Sequence, residues 1–179
     1  MASTFEPALA LLKHYAEYHR DRRNIATHLV GVPMIVFAVA VLLSRPSFGI
    51  GSLLLSPAWV LCGLAALWYV TRGQPLLGVV VSAGIALLVA LAHRLSGAGL
   101  GTWLGSGLGL LAAGSTIQLV GHYYEGRRPT LKDDAFGLPV GPMFVTLEVL
   151  SPLGLFRPLL DEIERHAGPT RLRDLAHPA

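Results

Sequence analysis

The sequence predicts an all-α fold: a polytopic membrane bundle of about four transmembrane helices, with an amphipathic helix before it and a re-entrant or interfacial segment after it. Three observations carry this. Of 179 residues, 53% are apolar and only 14% are charged, against roughly 25% charged in an ordinary soluble domain. Four runs, 24–44, 46–71, 73–93 and 95–124, hold no Asp, Glu, Lys or Arg, and each reaches the about 20 residues that a helix needs to cross a bilayer. The charged residues between 24 and 131 are Arg45, Arg72, Arg94, Glu125, Arg127 and Arg128, all at joints between the runs. A soluble bundle would have to repeat that segregation four times by accident.

The elements follow in order. Phe5, Ala8, Leu12, Tyr15 and His19 recur at steps of three and four, one stripe of a helix, while Lys13, Glu17 and Arg20 lie on another side. Such a helix suits the membrane surface better than its interior. The first span begins near Asn24, a good N-cap residue, and runs through His28 to Leu43 with Pro33 as a kink. The second covers about Leu53 to Thr71 and the third about Pro75 to Ala92.

The fourth, about Leu100 to Val120, carries Gly101, Gly105 and Gly109 at intervals of four, with Gly107 and Gly114 nearby. Small residues so spaced allow close helix approach, although glycine is also simply tolerated in lipid. Leu138 to Phe156 is apolar but broken by Pro139, Gly141, Pro142, Glu148, Pro152 and Gly154, which points to a re-entrant or interfacial segment. The organisation expected is one membrane domain over 1–165 and a polar, loosely structured tail over 166–179.

Charge also orients the bundle. With four spans and a cytoplasmic N-terminus, only Arg45 and Arg94 lie outside, and every other Lys and Arg lies inside. A fifth span would move the C-terminal arginines outward, so the positive-inside rule favours four spans with both termini cytoplasmic. The net charge of +3 resides in these connections rather than along one face, so nucleic acid is not an expected partner. The one cysteine, Cys62, excludes an intramolecular disulfide and a cysteine-based zinc site. The N-terminus lacks a basic region ahead of an apolar one, so the first span is expected to act as the insertion signal.

Chemistry concentrates in the histidines. On one continuous helix His19 and His28 would be about 900° apart and on opposite faces. They converge only if the chain turns between them, and the polar stretch Arg20 to Asn24 supplies that turn. Tyr15 and Asn24, each four residues before a histidine, are placed to orient the rings. Further on, Gln118, His122 and Glu125 share a helix face at the cytoplasmic end of the fourth span. His19, His28, His122 and Glu125 therefore gather at one membrane surface, a set suited to a first-row metal such as iron or zinc. His14 faces solvent in this reading, and His166 and His177 lie in the tail. Glu148 interrupts an apolar segment and points either to function or to a buried partner such as Arg127 or Arg128.

These same residues carry a family resemblance. Tyr18-His19 through Asn24, His28 and Pro33, then Gln118-x-x-Gly121-His122-x-x-Glu125-Gly-Arg-x-Pro129 and Glu148, resemble the Mpo1-like family over about residues 8–157. The resemblance implies a membrane-bound, Fe(II)-dependent dioxygenase of fatty acid α-oxidation, which converts a 2-hydroxy fatty acid to the acid one carbon shorter. It implies His19, His28 and His122 as iron ligands, with Glu125, Asn24 and Gln118 as further ligands or supporting groups. Arg127 or Arg128 would attract the substrate carboxylate. The family's His-Arg pair corresponds to His93-Arg94 and makes His93 a fourth ligand candidate. The topology above sets His93 at the far surface, so either the third span does not cross fully or His93 has another role. Two other readings of the chain stay open: a non-enzymatic lipid-binding or scaffold protein, and a zinc-dependent lipid hydrolase with Glu125 as base.

Overall fold

A computed structural model of the chain describes residues 6–50, 53–126 and 131–176. Seven α-helices dominate them: α1 (Ala8–Ala16), α2 (Arg22–Leu42), α3 (Pro57–Val70), α4 (Pro75–Ala92), α5 (Leu100–Glu125), α6 (Leu131–Leu150) and α7 (Arg157–Ala167). A small antiparallel hairpin of β1 (Phe48–Ile50) and β2 (Leu53–Leu55) joins α2 to α3, with Phe48 opposite Leu55. Among the described residues, α2, α5 and the stretch Pro75–Leu95 are long and apolar enough to cross a membrane. A fourth crossing would be formed by α6 and α7 together, which bend by 117° at a short break.

Two of these features differ from the sequence reading. The second span shrinks to the 14 residues of α3, about 21 Å of helix, because strand β2 takes Leu53–Leu55 and Pro57 starts the helix late. The first span starts earlier than expected. Its N-cap is Asp21, whose carboxylate accepts a hydrogen bond from the Arg23 backbone N–H at 2.8 Å, one of the donors that every helix start leaves unpaired. The broken character of the last apolar segment is realised in the bend between α6 and α7, where Gly154 takes a left-handed φ of 87° that glycine alone adopts without strain.

Burial falls into two layers. At the α1 end, Leu11, Leu12 and Ala16 pack against Phe144, Leu147 and Met143 of α6. At the other end, Val41 and Ala40 of α2 meet Cys62 of α3 and Val89 of α4. Outward-facing Leu61, Leu64, Leu67, Leu87, Leu108 and Leu119 are all exposed, an apolar exterior far larger than a water-soluble monomer carries and suited to lipid contact.

The most extensive helix pair is α2 with α5, and glycines set its closeness. The glycines that face α2 are Gly107, Gly114 and Gly121: a Cβ at Gly114 would lie 2.8 Å from Ile35 Cγ1, and one at Gly121 would overlap Thr27 and Asn24. Gly101, Gly105 and Gly109 have nothing within 4 Å of such an atom. Positions 105 and 107 are about 200° apart around the helix, so the interval-of-four stripe that stood out in the sequence points away from α2. Substituting Gly121→Ala is therefore expected to destabilise the fold by about 1–3 kcal/mol through overpacking. Gly105→Ala should be close to neutral. Thermal unfolding of the two variants in the same detergent tests the assignment of faces.

Candidate metal centre

The centre is assembled where α1 ends, α2 begins and α5 ends. The chain leaves α1 at Ala16 and turns through Tyr18 and His19 before Asp21 caps α2. His28 lies on the second turn of α2, and His122 on the last turn of α5. The turn brings together histidines that one continuous helix would hold on opposite faces. One ring nitrogen from each of His19, His28 and His122 lies within 4.8 Å of the others, and the ring centroids of His28 and His122 are 5.0 Å apart.

Hydrogen bonds define which nitrogens point inward. His19 Nδ1 is 2.7 Å from the Tyr15 carbonyl oxygen, and His28 Nδ1 is 2.9 Å from that of Asn24. A carbonyl can only accept, so both Nδ1 atoms carry the proton and both Nε2 atoms present a lone pair. These two Nε2 atoms face each other at 3.2 Å. Burial, helped by the adjacent His28, holds the pKa of His19 well below the ordinary histidine value, so its ring stays neutral and able to donate that lone pair. Tyr15 also stacks on His19, with centroids 4.0 Å apart and planes 6° from parallel.

Glu125, the last residue of α5, holds the turn in place. Its Oε2 accepts hydrogen bonds from the backbone N–H of Arg20 at 3.0 Å, from that of Asp21 at 2.8 Å and from Asn24 Nδ2 at 3.1 Å. Glu125 is 5% exposed and Asn24 is 0% exposed, so this carboxylate is committed to buried donors behind the histidines. Asn24 Nδ2 also donates to the Tyr18 carbonyl at 3.2 Å, which ties both sides of the turn together.

The C-terminal segment, expected to be loose, forms a strap over the same turn. Arg171 N–H donates to the Arg20 carbonyl at 2.8 Å, and Arg22 N–H donates to the Arg171 carbonyl at 2.9 Å. The Arg173 N–H donates to Asp21 Oδ2 at 2.8 Å. Asp21 is paired with the Arg23 guanidinium as well, and these hydrogen bonds push its carboxyl pKa down to about 2. A depressed carboxyl contributes its stabilisation fully above its unfolded value near pH 4 and loses it as the pH falls toward 2. Asp21→Ala at neutral pH should release the strap, costing about 1–2 kcal/mol for the lost cap. Faster hydrogen exchange at the Arg171 and Arg173 amides is the expected signature.

The other residues singled out in the sequence are distributed as follows. Gln118 lines the cavity beside the cluster, with its Cγ 2.9 Å from where a Gly31 Cβ would lie. Arg127 and Arg128 lie outside the described residues, as does His177. His93 sits apart, at the opposite end of the bundle, where its Nδ1 donates to the Val89 carbonyl and its Nε2 accepts from the buried Ser56 hydroxyl at 2.9 Å. Trp59 stacks beside it. Both ring nitrogens are thus used in joining the start of α3 to the end of α4. Glu148 is half-buried on α6 in the electrostatic range of Arg20. His166 pairs with Glu17 at 3.0 Å on the surface.

A cavity of about 700 Å³ opens from the three histidines, with His14, Tyr15, Tyr18 and Gln118 around its head and apolar side chains of α2 and α5 along its stem. His14, which the sequence reading set toward solvent, has a side chain that is 42% exposed and borders the mouth of this cavity.

An apolar helical bundle with three histidines at the head of an apolar cavity defines a class: a helical protein of membrane-spanning character with a three-histidine group that could hold a metal ion. The chain belongs to the Mpo1-like family. The family described as 2-hydroxy-palmitic acid dioxygenase Mpo1-like matches residues 5–153. The 2-hydroxy-palmitic acid dioxygenase MPO1 of Saccharomyces cerevisiae is 30% identical over 170 residues, which cover 92% of this chain and 91% of that protein. No solved structure matches the chain.

Proposed function

We propose that this protein is a membrane-embedded, Fe(II)-dependent dioxygenase that converts a 2-hydroxy fatty acid and O₂ to the fatty acid one carbon shorter, carbon dioxide and water. The observation that carries the reading is the pair of Nε2 lone pairs facing each other at 3.2 Å. Such an apposition is repulsive in an empty site and becomes favourable around a cation. Two nitrogens bound to one ion at about 2.1 Å lie about 2.9–3.4 Å apart across octahedral or tetrahedral angles, so the separation fits. The relationship to a named dioxygenase supports an oxidoreductase of related function, and the three-histidine group supports a metal. Iron bound there supplies a site for the hydroxy acid head group and O₂, and the redox chemistry of carbon–carbon cleavage.

The remaining roles belong to the chain. His19, His28 and His122 are the proposed ligands. Tyr15 and Asn24, through their carbonyls, keep two of the rings in the ligating tautomer. Glu125 positions the turn that carries His19, and Gln118 offers an amide to the head group from the cavity wall. Arg127, which lies outside the described residues, is proposed from its place in the sequence two positions after Glu125 to attract the carboxylate, and the apolar stem takes the acyl chain. The clustering of Lys and Arg supports a cytoplasmic histidine end. With its Oε2 committed to three donors, Glu125 offers little support for a zinc hydrolase that uses it as base.

Purified full-length protein, loaded anaerobically with Fe(II) and given 2-hydroxypalmitate and then O₂, is expected to yield pentadecanoate. Unchanged substrate from protein that binds iron, or failure to bind iron, overturns the proposal. Metal analysis of protein purified without chelators separates iron from zinc.

A further inference from the structure

Glu148, which interrupts an apolar segment of the sequence, has no part in the function proposed above, and its surroundings give it one. Arg20 follows His19 directly and is 4% exposed. Its Nε donates to the His19 carbonyl at 2.9 Å, and its Nη1 donates at 2.8 Å to the carbonyl of Gly168, just past the end of α7. Nη2 is buried and has no hydrogen-bond partner among the described residues. A guanidinium stays protonated in a protein, and a buried charge is tolerated only beside a countercharge. Carboxylates of three helices act on this one, Glu125 of α5, Glu148 of α6 and Glu164 of α7, and Glu148 acts most strongly. Glu125 is committed to the backbone N–H groups of the turn. Glu148 Oε1 is buried without a hydrogen-bond partner among the described residues, so two unpaired groups of opposite charge share one neighbourhood. The geometry of α6 agrees. Phe144 and Glu148 are about one turn apart on the same face, and the Phe144 ring lies 5.7 Å from that of His19 and 5.1 Å from that of Tyr15, centroid to centroid. This face of α6 therefore meets the His19 ring through Phe144 and, one turn on, Arg20 through charge.

We infer that Glu148 is a positioning residue of the metal centre: it holds the Arg20 guanidinium, Arg20 holds the His19 carbonyl, and the His19 ring is thereby kept aimed at His28 and His122. The inference rests on the metal reading above and adds to it a residue of α6, a helix that supplies none of the proposed ligands. The need is specific to His19. His28 and His122 ride on regular helices that fix their backbone, whereas His19 lies in the turn between α1 and α2, where the Arg20 side chain is the donor to its carbonyl. Without the charge on Glu148, the guanidinium is left buried beside weaker partners and is drawn toward water. The His19 carbonyl and the strap at Gly168 lose their donor with it.

The probe is Co(II), whose visible absorption reports the number and geometry of its ligands, titrated into full-length protein in detergent. Glu148→Gln, which keeps the shape and removes the charge, is expected to weaken Co(II) binding by about 10–100-fold and to alter the spectrum at saturating Co(II). Glu148→Asp, which keeps the charge on a shorter arm, should fall between it and wild type, and it carries the test if Glu148→Gln does not fold. Because Glu148 acts through Arg20, adding Glu148→Gln to Arg20→Gln should lower the affinity no further. Gly107→Ala, which overpacks Leu42 at the other end of α5, separates lost stability from lost positioning: it should unfold at a lower temperature yet keep the wild-type affinity and spectrum. A readout without metal is hydrogen exchange at the Arg171 amide, which donates to the Arg20 carbonyl and should exchange faster in Glu148→Gln. Wild-type affinity and spectrum in the Glu148 variants, or additive effects in the Arg20 pair, overturn the inference and leave the metal reading standing. Wild-type protein that takes up no Co(II) overturns the metal reading; faster Arg171 exchange in Glu148→Gln then still supports the hold on the turn, and unchanged exchange overturns that as well.

Discussion

Replacing His28 by alanine is expected to abolish metal binding and to lower kcat/KM by well over a hundredfold, with the fold retained. Removing only a hydrogen-bond partner of a ligating histidine costs about 10–100-fold, and losing the ligand itself costs more. The ring is 1% exposed and faces His19 Nε2 at 3.2 Å. In metal-free protein its loss opens a small cavity and also relieves the clash of two lone pairs, so the two effects on stability oppose each other. The clearer measurement is linkage: ligand at a hundred times its Kd stabilises a protein by about 2.7 kcal/mol. Wild-type thermal stability should therefore rise with Fe(II), and that of His28→Ala should not respond. His19→Ala and His122→Ala should behave alike, whereas His93→Ala should bind metal normally, because His93 is occupied with Ser56 and Val89 at the other end. A His28→Ala protein that keeps its metal and its turnover would sink the assignment.

Glu125→Ala is expected to be the most damaging change outside the ligands. It leaves the N–H groups of Arg20 and Asp21 and one N–H of Asn24 buried without their acceptor. Each such loss costs about 1–3 kcal/mol, so the sum is roughly 3 kcal/mol or more. The turn carrying His19 loosens with it, and metal affinity should fall as well. Glu125→Gln discriminates between roles. An amide oxygen can still accept from the turn, so a positioning residue predicts activity within about tenfold of wild type and an unchanged pH profile. A base or a ligand at this position predicts that Glu125→Gln is as inactive as Glu125→Ala.

The residues differ in how much of this was readable along the chain. The spans were legible because the cost of an ionisable group in hydrocarbon attaches to each residue separately, so charge-free runs speak for themselves. The shared end of His19, His28 and His122 followed from counting spans. That the chain turns between His19 and His28 was legible, because one continuous helix would hold them on opposite faces; the turn itself lies at 17–21 rather than at Arg20 to Asn24, since α2 already begins at Arg22. Other features depended on partners distant in sequence. Nothing in Thr170-Arg-Leu-Arg173 signals a strap, because its bonds run from backbone groups that every residue has. The shorter α3 followed from a hairpin whose strands read as part of an apolar run.

By itself, then, the sequence determined that this chain makes apolar helices and which end collects the histidines, since those properties sum over residues one at a time. Only the tertiary structure decided which glycine face of α5 meets α2, that Glu125 clasps the turn rather than joining the histidines, and that His93 pairs with Ser56. Each of those depends on which donor, acceptor or surface arrives opposite. Buried polar groups and close-packed helices are stabilised only in pairs, and the fold chooses the partner.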